Sequence, residues 1–220
     1  MEKKASDKLA FSVLDNVWIA SFCGVLVAYA WNIVLLHNDG CTPWSTASCL
    51  EQWPHHDISL NQRWYMLFMF AYYLSELIGT TVKVGTHLKP DMVAHHLVTM
   101  CLIAIAYHTN LVRFCCMWSA LFDVSNPLLH TAKCLNIINA KRLEGVKWLV
   151  FLSFAASFFL ARVATAPFAI IAPAFTTGVR VLPLWLSLPC CGLMTFIYIL
   201  QLVWFYKIVQ IATAGSAKDE

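Results

Sequence analysis

The sequence predicts an all-α integral membrane protein whose six transmembrane helices form a bundle or barrel around a lipid cavity. Of its 220 residues 60% are hydrophobic and only 12% are charged, and the mean hydropathy is +0.65. An ordinary soluble domain has roughly 45–50% apolar and about 25% charged residues. Because a soluble domain of this length still exposes about a quarter to a third of its unfolded surface, it would display large apolar patches. The composition therefore excludes a soluble enzyme, and a net charge of only +3 excludes a nucleic-acid partner.

Six apolar segments are long enough to cross a bilayer, which takes about 20 mostly apolar residues. They cover residues 11–36, 62–85, 91–108, 111–135, 145–172 and 182–212. The third and fourth contain ionisable residues and are joined by a short turn around Thr109 and Asn110. The chain is thus divided into an N-terminal tail (1–10), a single six-span domain (11–212) and a C-terminal tail (213–220).

Basic residues are unequally distributed between the two sides of these spans. With the N-terminus in the cytosol, eleven of the 15 Lys and Arg residues are cytosolic, Arg63, Arg113 and Arg180 face the opposite side, and Arg162 lies within a span. Because cytosolic loops of membrane proteins are enriched in Lys and Arg, both termini are predicted to be cytosolic. The first apolar run is too long for a signal-peptide core and is interpreted as a retained anchor.

The longest loop, 37–61, then faces the lumen or the exterior. It contains Cys41 and Cys49, for which two hypotheses are open: a disulfide, or two free thiols in a mobile loop. The other seven cysteines lie in apolar runs and are interpreted as small packing residues. The loop also contains Pro54-His55-His56-Asp57, which we interpret as solvated surface in preference to a metal site.

An ionisable residue near the bilayer centre costs on the order of 3 kcal/mol, and the predicted spans contain a concentrated set of such residues. They are Glu76, His95, His96, Asp123 and Arg162. With a helical rise of about 1.5 Å per residue, His96 lies about 7 Å from the cytosolic end of its helix, and Asp123 and Glu76 about 14–15 Å from theirs. We therefore predict that Glu76, Asp123 and the two histidines share the cytosolic half, and that Arg162, nearer the other side, is outside their cluster.

The fourth span contains a polar stripe. Its members recur at spacings of 4, 3, 4 and 3, which places them on one face of a continuous helix: Ser119, Asp123, Asn126, His130 and Lys133. A polar face on a membrane helix must contact a cavity or other polar groups. On the third span Thr99 shares the face of His95, and Tyr107 shares that of His96. The side chains of adjacent histidines on a helix point about 100° apart. We therefore expect one histidine to point into a pocket and the other to pack against the first.

A histidine beside a carboxylate is typical of general base or nucleophilic catalysis, because the acid fixes the imidazole tautomer and stabilises the imidazolium. The alternative is that the histidines only form hydrogen bonds between helices, and the opposing acid on the fourth span favours the catalytic interpretation. Catalysis by a di-iron centre is the alternative to base or nucleophilic catalysis. Only His95, His96 and His130 are embedded in the spans, which is too few ligands, so no metal is expected.

Two stretches of the chain resemble the signature of the TLC domain family and, within it, the ceramide synthases. The matching residues are His95, His96, Thr99, Tyr107, Asn110, Arg113, Asp123, Leu129, Ala132 and Lys133. Phe158–Arg162 with Pro167 is similar to the fifth-span pattern of the family. The family's His-Asp-x-x-Asp element reads Phe122-Asp123-Val124-Ser125-Asn126 here, so one histidine and one acid are absent.

The resemblance implies one of two functions. The first is an acyltransferase of the endoplasmic reticulum membrane that moves a fatty acyl group from acyl-CoA to the amine of a sphingoid base, with acyl-CoA as co-substrate and no other cofactor. The second is a non-catalytic protein that binds, senses or traffics membrane lipids in the same cavity, and the missing second acid favours it. Of the two, the enzyme is preferred. The implied partners are membrane lipids, acyl-CoA and a sphingoid base, with a homodimer as an open alternative.

In the enzyme, His95 or His96 is expected to act as base or transient acyl acceptor, and Asp123 to orient it. The expected substrate-binding residues are Asn126, Ser119, Thr99, Glu76, Tyr107, His130 and Lys133. Basic residues at the cytosolic rim would attract the phosphates of CoA, unless they serve only to set the orientation in the membrane.

Overall fold

The structure, a computed structural model, describes residues 2–85 and 87–216. In these ranges the chain forms seven helices: α1 (Glu2–Leu36), α2 (Leu60–Val82), α3 (Pro90–His108), α4 (Val112–Asp123), α5 (Asn126–Ile138), α6 (Lys141–Val181) and α7 (Leu184–Ser216). The described residues form no β-strand, so the all-α prediction is confirmed. The predicted N-terminal tail is helical from Glu2 onward as part of α1, and the predicted C-terminal tail lies outside the described residues after Ser216.

The helices form a closed ring with α4 inside it. Helix α1 packs against α2, α2 against α3, α3 against α7, α7 against α6, α6 against α5, and α5 back against α1. Helix α4 contacts α1, α2 and α3 from within. Large apolar side chains such as Trp18, Val25 and Phe168 are exposed on the outside of the ring, where a bilayer would cover them. We call the end with the Cys41–Cys49 loop the disulfide end.

The number of spanning helices is not confirmed as six. By length and composition four helices can cross a membrane: α1 from Asp7 to Leu36, α3, α6 and α7. Among the described residues, α2 and the α4–α5 pair do not qualify. Helix α2 contains Gln62, Arg63 and Glu76, and α4 and α5 are only 12 and 13 residues long.

Local sequence fixes the ends of α2 and the start of α3. The Ser59 side chain accepts a hydrogen bond from the Gln62 N–H, and the Gln62 side chain accepts one from the Ser59 N–H, which is a reciprocal capping box. At the other end Lys83 is left-handed (φ 60°), and a Cβ on Gly79 would lie 2.8 Å from the Val84 carbonyl oxygen. Only glycine fits there. Helix α3 begins with Pro90, whose missing N–H costs nothing in a first turn.

The fourth predicted span is two helices. Helix α4 ends at Asp123, Val124 and Ser125 form a turn, and α5 begins at Asn126. Pro127 explains the break, because it has no N–H to offer the Asp123 carbonyl and its ring crowds that oxygen. The prediction of one continuous helix over 111–135 is therefore wrong. The break leaves the last carbonyls of α4 available to donors from elsewhere.

Helix α6 is irregular through its middle. After an α-helical start it contains π-helical segments at Phe159–Thr165, Pro167–Ile171 and Ala174–Gly178. Pro167 deprives the Val163 carbonyl of its usual α-helical donor, and the Tyr198 hydroxyl of α7 donates to that oxygen at 3.3 Å. Such π-helical turns occur frequently at functional sites, and Arg162 lies in the first of them.

The 37–61 loop forms a folded cap on the disulfide end. Cys41 and Cys49 are joined by a disulfide, so the hypothesis of two free thiols is wrong. The Trp53 indole N–H donates to the Thr109 carbonyl at 2.7 Å, and the Asn110 amide donates to the Pro54 carbonyl at 2.6 Å. These bonds attach the cap to the turn between α3 and α4.

The interpretation of the His55-His56 run as solvated surface is wrong for one of its histidines. His56 is only 4% exposed, and neither ring nitrogen has a hydrogen-bond partner, whereas His55 is exposed. The reason is that the Asn110 side chain donates to the His56 carbonyl at 2.9 Å and draws this part of the cap against the bundle.

We expect the cap to weaken in acid because of His56. Burial lowers the pKa of His56, and the nearby positive charge of Arg113 lowers it further. The unfolded cap therefore binds a proton more readily than the folded cap. Stability is complete above the ordinary value of about 6.5 and falls as the pH drops below it toward the lowered folded value.

The variant His56→Phe should reduce this loss, because phenylalanine fills a similar space and does not titrate. Thermal midpoints of the purified protein, measured from about pH 7 to about pH 5, should fall less steeply in this variant than in the unmodified protein. His55→Phe, at the exposed neighbour, is the control and should keep the dependence of the unmodified protein. An unchanged slope in His56→Phe would show that another group is responsible.

Candidate functional site

A buried polar network lies at the break between α4 and α5. The Asn126 amide donates to Asp123 Oδ1 at 3.0 Å, and Arg162 Nη2 donates to Asn126 Oδ1 at 2.5 Å. Asp123 and Arg162 are 7% and 6% exposed. They influence one another electrostatically without being joined as a contact ion pair, because Asn126 stands between them. Asn126 is thus the bridge between a buried anion and a buried cation.

Arg162 is the centre of this network. Its Nε donates to the Phe122 carbonyl at 2.8 Å, and its Nη1 donates to Gln201 Oε1 at 3.2 Å. The guanidinium carbon lies 5.7 Å and 5.0 Å from the ring centres of Phe122 and Phe158. A cation at the C-terminal end of α4 is favoured by the helix dipole and satisfies a carbonyl that the Pro127 break exposes.

The prediction that Arg162 lies outside the cluster is wrong. Helical rise alone places the Cα of Arg162 nearer the disulfide end than Asp123. Side chains on a helix point toward its N-terminus, and the N-terminus of α6 is at the end opposite to the disulfide end. The long side chain therefore reaches back by several ångströms to the level of Asn126.

The two histidines of α3 are buried beside this network and differ in their contacts. His96 Nδ1 lies 2.8 Å from the Met92 carbonyl oxygen, one turn earlier. Because a carbonyl oxygen only accepts, Nδ1 carries the proton in the neutral ring and Nε2 keeps its lone pair. His95 Nδ1 is buried and has no hydrogen-bond partner.

Aromatic side chains hold the two imidazole rings edge to face. The ring centre of Tyr73 lies 6.2 Å from that of His95 and 4.9 Å from that of His96, and Trp204 lies 5.2 Å from His95. Trp204 is itself held, because its indole N–H donates to Asp91 Oδ2 at 2.9 Å. Asp91 also forms an ion pair with Lys207 at 3.3 Å, which ties the start of α3 to α7.

The histidines and the acid share the interior without touching. Arg162 interacts electrostatically with both Tyr73 and His95, and Asp123 interacts in the same way with Tyr73. Among the described residues, however, no hydrogen bond joins Asp123 to either histidine. In the structure the Met92 carbonyl orients His96, and Asp123 is held by Asn126. The tautomer of His96 is thus fixed by a backbone acceptor four residues earlier and not, as the sequence predicts, by Asp123.

The expected substrate-binding residues are only partly brought together. Thr99 and Ser119 lie one turn from His95 and Asp123, and Thr99 Oγ1 is buried without a partner. His130 instead faces α1, where its Nδ1 lies 3.0 Å from Asn16 Oδ1. The break at Val124 and Ser125 turns it away from Asp123, so the single polar face is not formed.

The other three expected residues make their contacts outside the polar network. Tyr107 is at the disulfide end, with its ring against His108. Glu76 is half-buried and interacts electrostatically with Asp15 and Lys133, while Lys133 itself is exposed. Glu76 is thus outside the cluster in which it was predicted. In the part of the chain that the structure describes, no group of three or more His, Cys, Asp or Glu is arranged to hold a metal ion.

Sequence reasoning missed Gln201, Trp204 and Tyr73. Gln201 is fully buried in α7 and was detectable, because it is an isolated amide in a long apolar run. Trp204 and Tyr73 gave no such signal, since aromatic residues are common throughout these spans. Their roles depend on which helices are neighbours, which periodicity does not reveal.

An apolar cavity lies between the polar network and the disulfide end. It has a volume of about 50 Å³, is partly open, and lies between α3, α4, α7 and the last turns of α6. Leu102 and Ala106 line it from α3, Cys115 and Trp118 from α4, and Met194 from α7. We call it the tail cavity.

Removing the bridge is expected to destabilise the fold. Asn126→Ala deprives Asp123 of a donor and Arg162 of an acceptor, and each buried group left unsatisfied costs about 1–3 kcal/mol. The thermal midpoint of the detergent-solubilised protein should fall clearly. Asn136→Ala, an exposed asparagine on the same helix, is the matched control and should have little effect. Equal midpoints for both variants would contradict the bridging role.

Comparison with known proteins gives a consistent family. A family model described as TLC domain matches residues 16–210. Ceramide synthase 5 of Mus musculus is 27% identical over 80% of this chain and 42% of its own length. Ceramide synthase hyl-1 of Caenorhabditis elegans is 25% identical over 98% and 61%. The sphingosine N-acyltransferase-like protein FUM17 of Gibberella moniliformis is 23% identical over 57% and 33%. The chain spans less than half the length of the mouse protein.

Proposed function

Because this chain belongs to the TLC domain family, as its histidine pair and the residues around Asp123 predict, we propose that it is a ceramide synthase-like N-acyltransferase. It would transfer a fatty acyl group from acyl-CoA to the amine of a sphingoid base within the membrane. The observation that carries the proposal is the buried pair His95 and His96, which lies beside the Asp123–Asn126–Arg162 network inside an apolar bundle. The names of the relatives support the same reaction.

The reaction needs a base in a dry site. The amine nitrogen attacks the thioester carbonyl carbon, so that a C–N bond forms and the C–S bond breaks. The amine proton passes to Nε2 of His96 and from there to the departing thiolate of CoA. His96 suits this role because the Met92 carbonyl fixes its tautomer with Nε2 as acceptor. Acyl-CoA is the co-substrate, and no further cofactor takes part.

The other polar groups would hold the substrate and the protein around it. His95 Nδ1 and Thr99 Oγ1 are buried and have no protein partner, so they are available to the polar head of a lipid. Asp123, Asn126 and Arg162 are already bonded to one another. Their part is to fix the end of α4 and to keep a compensated positive charge near the reacting carbonyl.

The membrane orientation follows from the same proposal. We place the protein in the endoplasmic reticulum with both termini cytosolic, so that the histidines open toward soluble acyl-CoA and the disulfide cap faces the oxidising lumen. A glycosylation-site tag inserted in the 37–61 loop should be modified in cells. Modification of a tag on the C-terminal tail, with none in the loop, would reverse the orientation.

A non-catalytic lipid-binding protein is the second candidate. It is favoured by Asn126, which replaces the second acid of the family and commits Asp123 to a structural hydrogen bond. The same interior would then hold a lipid without turnover.

One experiment separates the two functions. The purified chain is incubated with acyl-CoA and sphinganine, and the N-acylated product is measured by mass spectrometry. The proposal expects product that is lost in His96→Ala and retained in His108→Ala, an exposed histidine at the other end of α3. Folded protein that yields no product and carries ceramide after purification would establish the second function instead.

A further inference from the structure

The tail cavity is lined at the disulfide end by a residue that does not belong to a helix of the ring. Leu50 is the last residue of the short turn Ala47–Leu50, and it follows the bridged Cys49 directly. It is 8% exposed and lines the cavity beside Leu111 and Leu182. The cap therefore supplies the far end of a cavity whose walls are helices.

The cavity begins between one and two helical turns from the polar groups, on their disulfide-end side. Cys115 lies eight residues before Asp123 on α4, or about 12 Å of helix, and Leu102 lies six residues after His96 on α3, or about 9 Å. A lipid whose carbonyl group reacts between His96 and Asp123 would pass its alkyl chain along α3 and α4 over this distance, enter the cavity and approach Leu50. The lining there is almost wholly apolar, which suits a saturated chain.

The cap holds Leu50 in place through covalent and polar restraints. The Cys41–Cys49 disulfide closes the loop around it, and the Ser48 hydroxyl donates to the Gly40 carbonyl at 2.9 Å. The Asn38 amide donates both to the Cys41 carbonyl at 2.8 Å and to the Arg113 carbonyl at 3.1 Å, which ties the bridged loop to the start of α4. These bonds restrain the backbone directly before Leu50.

We propose that Leu50 is the stop that limits the length of the acyl chain, and that the Cys41–Cys49 bond holds this stop in position. The inference rests on the proposed acyltransferase function, since it assigns the chain-length selectivity of that site to the cap. A stop at Leu50 lies about two helical turns or more from the reacting groups. Substitutions of Leu50 should therefore change the preferred length of the acyl chain without changing the chemical step.

Substituting Leu50 tests the proposal. Saturated acyl-CoA thioesters that differ in steps of two methylenes are each assayed with sphinganine. Leu50→Ala is expected to raise kcat/KM for the next longer chain relative to the preferred one by about 10-fold, and Leu50→Trp to shift the preference to shorter chains by a similar factor. Leu60→Ala, an exposed leucine at the start of α2, should leave the preference unchanged.

The disulfide is tested separately. The double variant Cys41→Ser and Cys49→Ser should accept a broader range of chain lengths, because Leu50 is no longer held. Cys101→Ser, at an exposed free cysteine, should not. Leu50 variants that form product with an unchanged length preference would overturn the inference while the proposed function stands.

If no thioester gives product, the proposed function is overturned. A binding measurement then tests the inference about Leu50 separately. A mixture of saturated fatty acids of different lengths is offered to the purified protein, and the retained acids are measured by mass spectrometry. The retained distribution should shift to longer acids in Leu50→Ala and to shorter acids in Leu50→Trp. Identical distributions in both variants and in Leu60→Ala would overturn the inference.

Discussion

Replacing Arg162 with methionine is expected to be among the most destabilising single changes in the bundle. Methionine keeps much of the length and apolar volume of the side chain, but it leaves Asn126 Oδ1 and Gln201 Oε1 without donors. The Phe122 carbonyl keeps only the long hydrogen bond from the Ser125 hydroxyl, at 3.5 Å. It also leaves the buried Asp123 without a compensating cation. Breaking a buried charge pair from one side costs about 3–5 kcal/mol. The measurement is the unfolding free energy or thermal midpoint in detergent.

The matched control is Arg180→Met, an exposed arginine on the same helix, which should change the midpoint little. A second variant separates charge from packing. If Asp123 is replaced with asparagine in the Arg162→Met background, the unpaired anion is removed, and the double variant should be less destabilised than the sum of the two single changes by about 0.5–3 kcal/mol. Strict additivity would show that Arg162 acts through its hydrogen bonds and not through the charge of Asp123.

The parts of the site that lie on one helix could be predicted from the sequence. His95, His96 and Asp123 stand out because ionisable groups are rare in these spans, and their pattern identifies the family. What could not be predicted is how helices distant in sequence meet. Periodicity places Arg162 on a face of α6, yet its partners Asn126 and Gln201 come from α5 and α7.

The end of α4 could have been predicted from the sequence. Pro127 was visible in the sequence and is sufficient to end α4, so a continuous polar face from Ser119 to Lys133 should not have been expected. The burial of His56 had no comparable signal. It depends on hydrogen bonds from Asn110, which the chain brings to the cap only when α3 and α4 have packed.

The structure explains why asparagine is suitable at position 126, where the family has a second acid. An aspartate at position 126 could still accept from Arg162, but it could not donate to Asp123, and two carboxylates would then share one guanidinium. Asparagine donates to one partner and accepts from the other. The network thus reaches local neutrality with one anion and one cation, which is less costly than an excess charge in an apolar interior.

The largest effect on activity is expected from His96. In His96→Gln the side chain keeps hydrogen-bonding capacity but loses the basic nitrogen, so kcat for amide formation should fall about 10²–10⁴-fold while KM for acyl-CoA changes little. His95→Gln should have a smaller effect, because His95 packs between Tyr73 and Trp204 and braces the neighbouring ring. His108→Gln, exposed at the far end of α3, is the control and should leave both constants unchanged. If His95→Gln lost more activity than His96→Gln, the two roles would have to be exchanged, since the unpartnered Nδ1 of His95 would then be the group that meets the substrate.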